Sequence, residues 1–514
     1  FQAEDGIRDA QESRGLGDVY KRQLQFRFQR NWSRDYYLIL QISFKKSNNL
    51  LKYFIMVKTK KIEPAIFKAY DIRGIYPKEV NPKTAEIIGR AFVKFLKKKR
   101  KKKLNIVIGR DNRISSPQLA LALKKGILEE GANIIDIGLA STPMFYFAVW
   151  HYKYDGGVQV TASHNPPEYN GFKIVREKAG VVGRNTGLTE IKKIALKLEK
   201  ERSKSFPKRG SSRKRNILKD YLKFNLKRID LKKIKPLKVA IDTGNAVSGI
   251  LIKELKKYLP GKIYHLFPKL DGNFPNHLPN PLEEENIKAL KKFVREKRCD
   301  LGAAFDGDGD RIIFVAENGE MIPSDYITCL IAQKILEKNQ GAKILYNICS
   351  SNIIKEVVKN NGGVAIPTKV GHTFVKEKMI KVGGLFAGEF SGHYYLKSHH
   401  FCEAPLVVLL KILQELSLQK KTISQILSPF KRYFHSGQVN LKVKDKEKAL
   451  KLLERKYQKG KISHLDGLRV DFQNWWFNAR PSNTEDLLRI VVEAKTKKIM
   501  KERLGQIIKI VKRV

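Results

Sequence analysis

Residues 299–311 read CDLGAAFDGDGDR, a short apolar segment that runs directly into three aspartates alternating with glycines. The charges of Asp306, Asp308 and Asp310 repel one another unless a cation neutralises them, and oxygen ligands suit Mg²⁺ or Ca²⁺. The spacing partly fits a calcium-binding EF-hand loop, but Arg311 stands where that loop requires glycine, and the strand-like IIFVA follows. The stretch therefore predicts a metal-binding loop at the end of a strand, with Arg311 placed for an anionic phosphate.

Apolar runs of strand length alternate with helix-length stretches on both sides of this loop. Cycles begin at NIVIG (105–109), KVAIDTGNA (238–246) and KILYNIC (343–349), whereas the last segment mixes strands and helices. Repeated β-α units predict parallel-rich sheets covered by helices, with ligands at the carboxyl ends of strands. The predicted fold class is α/β, with three tandem α/β domains of related topology and a C-terminal α+β domain. The expected domain boundaries are 56–208, 209–320, 321–430 and 431–514.

The first 55 residues differ from the rest of the chain. The sequence opens at Phe1 with an irregular polar stretch that resembles translated adapter sequence, and its first methionine is Met56. The stretch has neither the charged start nor the apolar centre of a signal peptide. We expect residues 1–55 to be a non-native or disordered leader, the alternative being a genuine disordered or weakly helical extension.

The chain is strongly basic. Its 514 residues include 101 Lys and Arg against 51 Asp and Glu, a formal charge of +50. Such an excess favours polyanions, phosphorylated ligands or anionic membrane surfaces as neighbours. The lysines are spread along the whole chain, as in KKKRKKK at 97–103, which favours a solvated surface over a nucleic-acid site.

The cysteines and the hydropathy of the sequence indicate the cellular compartment in which the protein is expected. The four cysteines are far apart and form no C-x-x-C pair, so they indicate neither a zinc site nor a disulfide framework. The sequence contains no apolar run of the roughly 18 residues that a membrane span needs. We expect a cytoplasmic protein without a membrane partner.

A second polar loop follows an apolar strand at 157–173, GVQVTASHNPPEYNGFK. Ser163 lies at its tip, and two prolines fix the turn behind it. A nucleophilic serine needs an activating neighbour or a reactive phosphoryl donor, and His164, Lys173 or a metal could each assist. The alternative is a helix cap or an Asx-type turn.

Two further loops carry groups suited to sugars and phosphates. GEFSGH (388–393) alternates donors and acceptors that fit sugar hydroxyls, although an ordinary polar loop is an alternative. RPSNTED (480–486) combines a guanidinium with short hydrogen-bonding side chains, which suits phosphate capture, although a helix N-cap or a turn is an alternative.

Taken in order, these four motifs resemble those of the α-D-phosphohexomutase superfamily, most closely its phosphomannomutase/phosphoglucomutase branch. The resemblance extends over about residues 62–514. It also includes FKAYDIRG (67–74), GRDNRISS (109–116), FPNHLPNPLEEEN (274–286) and TKVGH (368–372).

The resemblance implies a four-domain enzyme whose active site lies in the central cleft, with one long motif loop from each domain. Ser163 would be a phosphoserine that hands its phosphoryl group to a hexose phosphate, giving a hexose 1,6-bisphosphate. That intermediate would reorient and return its other phosphoryl group, so that hexose 1-phosphate and 6-phosphate are interconverted. Such transfer depends mainly on positioning and charge neutralisation.

The resemblance also implies a role for particular residues. Mg²⁺ would bind to Ser163, Asp306, Asp308 and Asp310. The groups expected to carry protons or orient the reacting phosphate are Arg73, His164, Lys173, Arg311 and His372, with Lys173 and His372 as the acid/base candidates. The groups expected to bind the substrate are Lys369, Glu389, Ser391, His393, Arg480, Ser482, Asn483 and Thr484.

The sugar is less firmly indicated than the reaction. GEFSGH and SNTE look more like the glucose/mannose branch, and a phosphoglucosamine mutase is the alternative. Asp486 departs from the family, which usually has proline there, and a carboxylate beside a phosphate site would weaken binding. We expect a small phosphosugar as partner and a monomer or homodimer; nucleic acid is not expected. An alternative of another class is a non-catalytic basic scaffold that binds polyanions.

Overall fold

The computed structural model describes residues 61–98, 103–201, 209–482 and 487–514, together with the backbone of three strands nearer the amino terminus. The chain divides into two compact units, residues 1–63 and 64–514. The first unit contains an antiparallel sheet of Gln25–Phe28, Tyr37–Lys46 and Asn49–Lys58. Met56 therefore falls within a strand. The non-native leader stays a prediction, and the other residues expected to form it lie outside the described ones.

The second unit opens with a seven-stranded sheet whose central strands are parallel. Its strands are, in spatial order, Ser212–Lys214, Asn133–Leu139, Asn105–Arg110, Gly156–Val160, Tyr169–Arg176 and Ile72–Ile75, with Gly180–Val181 beside Tyr169–Arg176. Its helices are Pro82–Lys97, Ser116–Glu129, Thr142–His151 and Leu188–Lys200. The last two strands in the spatial order run antiparallel to their neighbours.

The second and third sheets repeat this arrangement, each with three parallel strands followed by two antiparallel ones. The second sheet consists of Gly261–Leu266, Leu237–Asp242, Leu301–Phe305, Ile312–Ala316 and Met321–Ile322. The third consists of Val364–Thr368, Lys343–Asn347, Phe386–Gly388, Tyr394–Leu396 and Cys402–Glu403. The helices are Leu218–Leu226, Ser248–Leu255, Lys288–Glu296, Ser324–Leu336, Asn352–Asn360, His372–Val382, Pro405–Gln419 and Ile423–Leu427.

The C-terminal region has a different architecture, in which all the strand pairs are antiparallel. Its strands are Phe434–His435, Leu488–Ala494, Trp475–Pro481, Leu468–Asp471 and Lys461–Ser463, with Val439–Leu441 also paired to Leu488–Ala494. Its helices are Lys446–Lys456 and Lys497–Val511. The predicted fold class of three related α/β domains and an α+β domain is confirmed, and the expected boundaries between them stay predictions.

The apolar cores hold the strands in place and so determine where the loops after them begin. One apolar core extends across the first three sheets, whereas the C-terminal sheet has a core of its own. Helix Thr142–His151 is apolar on all sides, and its first eight residues are buried within the larger core. Its amino terminus is therefore held rigidly against the loop after Leu301–Phe305. Of the helices that the structure describes, each is too short or too polar to cross a membrane.

Candidate active site

Ser163 lies just beyond the buried strand Gly156–Val160, in a backbone conformation with a φ of +53° that side chains other than glycine rarely adopt. The residue is 2% exposed, and its amide donates to Oγ1 of Thr161 at 2.9 Å. Its Oγ donates to Oδ2 of Asp306 at 2.9 Å. The predicted serine and the predicted metal loop, 143 residues apart in sequence, are thus in direct contact.

The three aspartates form a buried cluster at the carboxyl end of Leu301–Phe305. One carboxylate oxygen of each lies within 4.8 Å of the others. Oδ1 of Asp306 accepts from the amides of Asp310 at 3.0 Å and Arg311 at 3.2 Å, which turns Oδ2 outward. Among the described residues, none donates to the buried Oδ1 of Asp308. An unpaired buried carboxylate oxygen within an oxygen-rich cluster could bind a metal ion.

The glycines between these aspartates allow two close approaches. A Cβ on Gly307 would lie 2.3 Å from the carbonyl oxygen of Ser163, so only glycine lets the two loops come together. Gly309 has a φ of +69°, which glycine adopts without strain. The alternation seen in the sequence therefore serves backbone geometry as well as ligand spacing.

Lys173 supplies a buried cation to the cluster. Its Nζ donates to Oδ2 of Asp308 at 2.6 Å and to Oδ2 of Asp310 at 2.5 Å. Burial disfavours its charged form, but the two carboxylates outweigh that effect and hold the pKa of Lys173 above its ordinary value. Burial and the neighbouring carboxylates Asp310 and Asp308 raise the pKa of Asp306 well above its usual range. The three carboxylates thus outnumber the cations Lys173 and Arg311 that contact them.

Two further predicted groups lie close to Ser163: His164 follows it in the loop, and Arg73 belongs to strand Ile72–Ile75 and contacts Asn165 of that loop. Nδ1 of His164 lies 3.4 Å from Ser163 Oγ, and burial, Arg311 and Arg73 hold the pKa of His164 well below its ordinary value. Nη1 of Arg73 donates to Oδ1 of Asn165 at 2.6 Å, and its Nη2 pairs with Asp71. The imidazole next to the serine is therefore neutral at physiological pH and is flanked by permanent cations.

The GEFSGH loop (388–393) of the third sheet also reaches the aspartate cluster. His393 Nε2 lies 3.3 Å from Asp310 Oδ1 and 3.3 Å from Arg311 Nε, and its Nδ1 bonds to Ser391 Oγ at 2.9 Å. Glu389 is buried, and its Oε2 accepts from the amide of Gly371 at 3.3 Å. The structure thus brings the three predicted residues of GEFSGH together, with His393 in contact with both of the others and with Asp310.

The TKVGH segment joins three domains. The hydroxyl of Tyr70 donates to the carbonyl of Val370 at 3.0 Å, and the amide of Val370 donates to Oδ2 of Asp466 at 2.9 Å. His372 begins the next helix, and burial, with Lys173 as the second cause, lowers its pKa to about 3. In the described part of the chain, no group bonds to the buried Nε2 of His372. Lys369 is exposed and lies over the ring of Phe374.

The C-terminal loop is only partly described. Arg480 is 3% exposed, and its Nη2 donates to Gln438 Oε1 at 3.2 Å. Its buried Nε has no hydrogen-bond partner among the described residues. The amide of Ser482 donates to the carbonyl of Leu487 at 2.8 Å, which closes the hairpin. The predicted groups Asn483 and Thr484, and the unusual Asp486, lie outside the described residues.

Comparison with known sequences covers most of the second unit. Residues 64–202, 219–319 and 323–433 match the alpha/beta/alpha domains I, II and III of phosphoglucomutase/phosphomannomutase, and residues 439–510 match its C-terminal domain. The chain belongs to the phosphoglucomutase/phosphomannomutase family. The predicted resemblance is confirmed, and the chain is a hexose phosphate mutase, a phosphotransferase.

Individual members of the phosphoglucomutase/phosphomannomutase family are similar along most of their length. A phosphomannomutase of Vibrio cholerae is 38% identical over 462 residues, covering 88% of this chain and 99% of its own. A phosphomannomutase of Methanocaldococcus jannaschii is 39% identical, covering 86% and 96%. The crystal structure of a phosphoglucomutase/phosphomannomutase family protein from Burkholderia thailandensis superposes with a TM-score of 0.80 at 30% identity, covering 88% and 98%.

Two side chains at this phosphoglucomutase/phosphomannomutase site were not predicted as site residues from the sequence. Arg113, within GRDNRISS, is fully buried beneath the serine loop. Thr142 begins a helix, and its Oγ1 donates to Oδ2 of Asp308 at 2.5 Å. The signals available were an arginine close to Asp111 in a loop after a strand, and a Ser-Thr-Pro helix start. Neither signal indicates which distant loop the side chain contacts.

Proposed function

We propose that this enzyme interconverts the 1- and 6-phosphates of mannose, glucose or both, with Ser163 as the phosphoryl carrier. The observation that carries the proposal is the 2.9 Å contact between Ser163 Oγ and Asp306, inside a cleft that also holds Lys173, Arg311 and His393. A hydroxyl among cationic groups and carboxylates suits phosphoryl transfer, which needs charge neutralisation and alignment more than a strong base.

The metal we propose is Mg²⁺, held by Asp306, Asp308, Asp310 and an oxygen on Ser163. Three buried carboxylates, of which Asp308 and Asp310 each keep an oxygen without a hydrogen-bond partner among the described residues, fit a small hard cation. When bound, the ion would neutralise charge on the transferred phosphoryl group. Lys173 would keep the unligated carboxylate oxygens of Asp308 and Asp310 in place.

In each half of the proposed cycle, one phosphorus–oxygen bond breaks and another forms. The bond between phosphorus and Ser163 Oγ breaks as a sugar hydroxyl attacks, and the proton of that hydroxyl passes to His372. Lys173, which its raised pKa keeps charged, would donate a proton to the departing Oγ. Neutral His372 can accept a proton on its unpaired Nε2. The second half returns the other phosphoryl group of the hexose 1,6-bisphosphate to Ser163, while Arg73, His164 and Arg311 orient it.

Substrate binding divides between the last two domains. We assign the sugar hydroxyls to Glu389 and Ser391, with His393 close by, because Glu389 and Ser391 both lie next to His393, which contacts Asp310. We assign the non-reacting phosphate to a further set of groups, supported by the unpaired guanidinium Nε of Arg480. These groups are Lys369, Arg480, Ser482, Asn483 and Thr484.

We further propose that the enzyme acts in the cytoplasm on a small phosphosugar, as a monomer or homodimer. All four cysteines are free thiols, which suits a reducing compartment. The preference for mannose or glucose over glucosamine rests on GEFSGH and on relatives that carry the name phosphomannomutase.

Phosphorus NMR of the full chain tests this activity. The protein is incubated with Mg²⁺ and a trace of glucose 1,6-bisphosphate, with the 1-phosphate of mannose, glucose or glucosamine in separate tubes. Growth of a 6-phosphate signal is expected, fastest with mannose or glucose. A folded protein that converts only glucosamine 1-phosphate would contradict the proposed sugar, and one that converts none would contradict the proposed reaction.

A further inference from the structure

Arg113 occupies an unusual position for a charged side chain, since it is 0% exposed. Its Nη2 donates to the carbonyls of Ser163 at 2.9 Å and Asn165 at 2.6 Å, and its Nη1 donates to those of Pro166 at 2.6 Å and Tyr169 at 3.1 Å. One guanidinium thus satisfies four carbonyls of the serine loop. None of these acceptors is a side chain, so the interaction fixes the course of the backbone.

Arg113 is itself held on several sides. Its Nε lies 3.2 Å from Oδ2 of Asp111, and its amide donates to Oδ1 of the same carboxylate at 3.1 Å. The ring of Phe274, from the second domain, lies 5.1 Å from its guanidinium carbon. A Cβ on Gly272 would lie 2.8 Å from the Cα of Arg113, so the second domain packs directly on this backbone. A rigid donor of this kind can impose its geometry on the loop.

The loop needs such support because Ser163 has a positive φ. Gly307 of the metal loop faces the same Ser163 carbonyl that accepts from Arg113. The serine backbone is therefore enclosed between the guanidinium and the metal loop, which sets the direction of its Oγ. A lysine could not replace the arginine, because its single nitrogen lacks the planar array of donors that reaches four carbonyls.

We propose that Arg113 is a positioning residue for phosphoryl transfer, holding Ser163 Oγ in line with the sugar hydroxyl. The inference rests on the proposed role of Ser163. Among the described residues, the Arg113 guanidinium donates no hydrogen bond to the aspartate cluster or to a predicted substrate group, so its effect is exerted through the serine loop. The rate of transfer is then expected to depend on Arg113 far more than substrate affinity does.

The test is rapid-quench labelling of Ser163 by radiolabelled glucose 1,6-bisphosphate with Mg²⁺. In Arg113→Lys the labelling rate is expected to fall about 100-fold, because small misplacements of reacting atoms have effects of this size. The dissociation constants of Mg²⁺ and of the bisphosphate are expected to stay within about threefold of wild type. Arg90→Lys is the matched control, a buried arginine of the same domain that pairs with Glu130, and it should label at the wild-type rate.

Wild-type labelling by a folded Arg113→Lys protein would overturn the inference. So would a loss of thermal stability with an unchanged rate per active site. Should that variant not fold, Asp111→Asn keeps the guanidinium but removes its anchor, and its labelling rate should fall about tenfold; an unchanged rate would count equally against the inference. A folded wild type that takes no label on Ser163 would instead contradict the proposed function, and this inference with it.

Discussion

At the scale of single residues, hydrogen bonds orient the carboxylates of Asp306 and Asp308. In Asp306, Oδ1 accepts hydrogen bonds from two backbone amides and Oδ2 accepts one from Ser163. In Asp308, Oδ2 accepts hydrogen bonds from Thr142 and Lys173, whereas Oδ1 has no partner among the described residues. Because buried polar atoms without partners are costly, the unpaired oxygen marks where a cation would be most stabilising.

Thr142 should therefore influence metal affinity without touching the metal. Thr142→Val keeps the shape of the side chain but removes the bond to Asp308 Oδ2, so that the carboxylate loses part of its orientation. We expect Mg²⁺ affinity, measured by isothermal titration calorimetry, to fall about tenfold. Thr142→Ser restores the hydroxyl and should bind as wild type does. Equal affinity in the valine and serine variants would contradict this account.

At the scale of elements, the close approach of two loops decides the reactive geometry. The loop after Leu301–Phe305 meets the loop after Gly156–Val160 at Gly307, with no room for a side chain. Both loops start from fully buried strands, so neither loop can move far without disturbing the packing around its own strand. The separation of Ser163 and the aspartates is therefore set by strand packing.

Gly307→Ala should displace the serine loop, because the clash of its Cβ is with a backbone oxygen and not with a flexible side chain. We expect kcat to fall about 100-fold. Gly505→Ala is the control; it lies in helix Lys497–Val511 with open space around it, and should keep full activity while gaining up to about 1 kcal/mol in unfolding free energy. Wild-type kcat in Gly307→Ala would show that the two loops tolerate a wider separation.

A buried histidine links helix Leu218–Leu226 to the third domain and makes stability depend on pH. Nε2 of His399 bonds to Asn225 Oδ1 at 3.1 Å, and burial, with Arg228 as a lesser cause, lowers the pKa of His399 to about 3. As pH falls below about 6.5, the unfolded chain binds a proton that the folded chain does not, so the folded state loses stability until the pH nears that folded pKa.

Urea unfolding at pH 7 and pH 5 measures this effect. Relative to His399→Gln, the wild type should lose about 2 kcal/mol more between those values, since each pH unit below 6.5 contributes about 1.4 kcal/mol. The comparison with the variant cancels the other histidines. If the free energy of unfolding changed with pH by the same amount in both proteins, His399 would be ruled out as a source of acid sensitivity.

At the scale of the whole molecule, the cleft is built by contacts that cross domain boundaries. Val370 bonds to Tyr70 of the first domain and to Asp466 of the last, while Arg113 lies against Phe274 of the second. The C-terminal sheet has its own core and is joined to the third domain by a small apolar cluster and by hydrogen bonds, so its position depends on contacts of both kinds. The phosphate binding proposed for Arg480 should therefore respond to changes in these contacts.

Asp466→Ala removes the acceptor of the Val370 amide and should loosen the C-terminal domain. We expect the KM for hexose 1-phosphate to rise about tenfold, the effect of losing one hydrogen bond to a charged group, with kcat little changed. Hydrogen exchange at the Val370 amide should quicken. Asp445→Ala, which removes the side-chain cap of helix Lys446–Lys456 within the same domain, is the control and should leave KM unchanged. A fall in kcat at constant KM would contradict this role.

Much of this architecture could be predicted from the sequence, because β-α cycles and strand-following polar loops are local patterns. The alternation of aspartates and glycines predicts the metal loop, and the apolar strand before Ser163 predicts a loop with the serine at its tip. The sequence does not show that this serine is buried against Asp306. The partners of Arg113 and Thr142 could not be predicted, because they lie tens of residues or more away in sequence. Contacts of that kind depend on how sheets pack, which local patterns do not specify.

The most direct test of the central claim is to locate the phosphoryl group after the full chain is incubated with glucose 1,6-bisphosphate and Mg²⁺. Peptide mapping by mass spectrometry should find one phosphoryl group on the peptide that contains Ser163, and Ser163→Ala should acquire none and lose mutase turnover while remaining folded. A phosphoryl group on another residue, or wild-type turnover by Ser163→Ala, would contradict the assignment of Ser163 as the phosphoryl carrier.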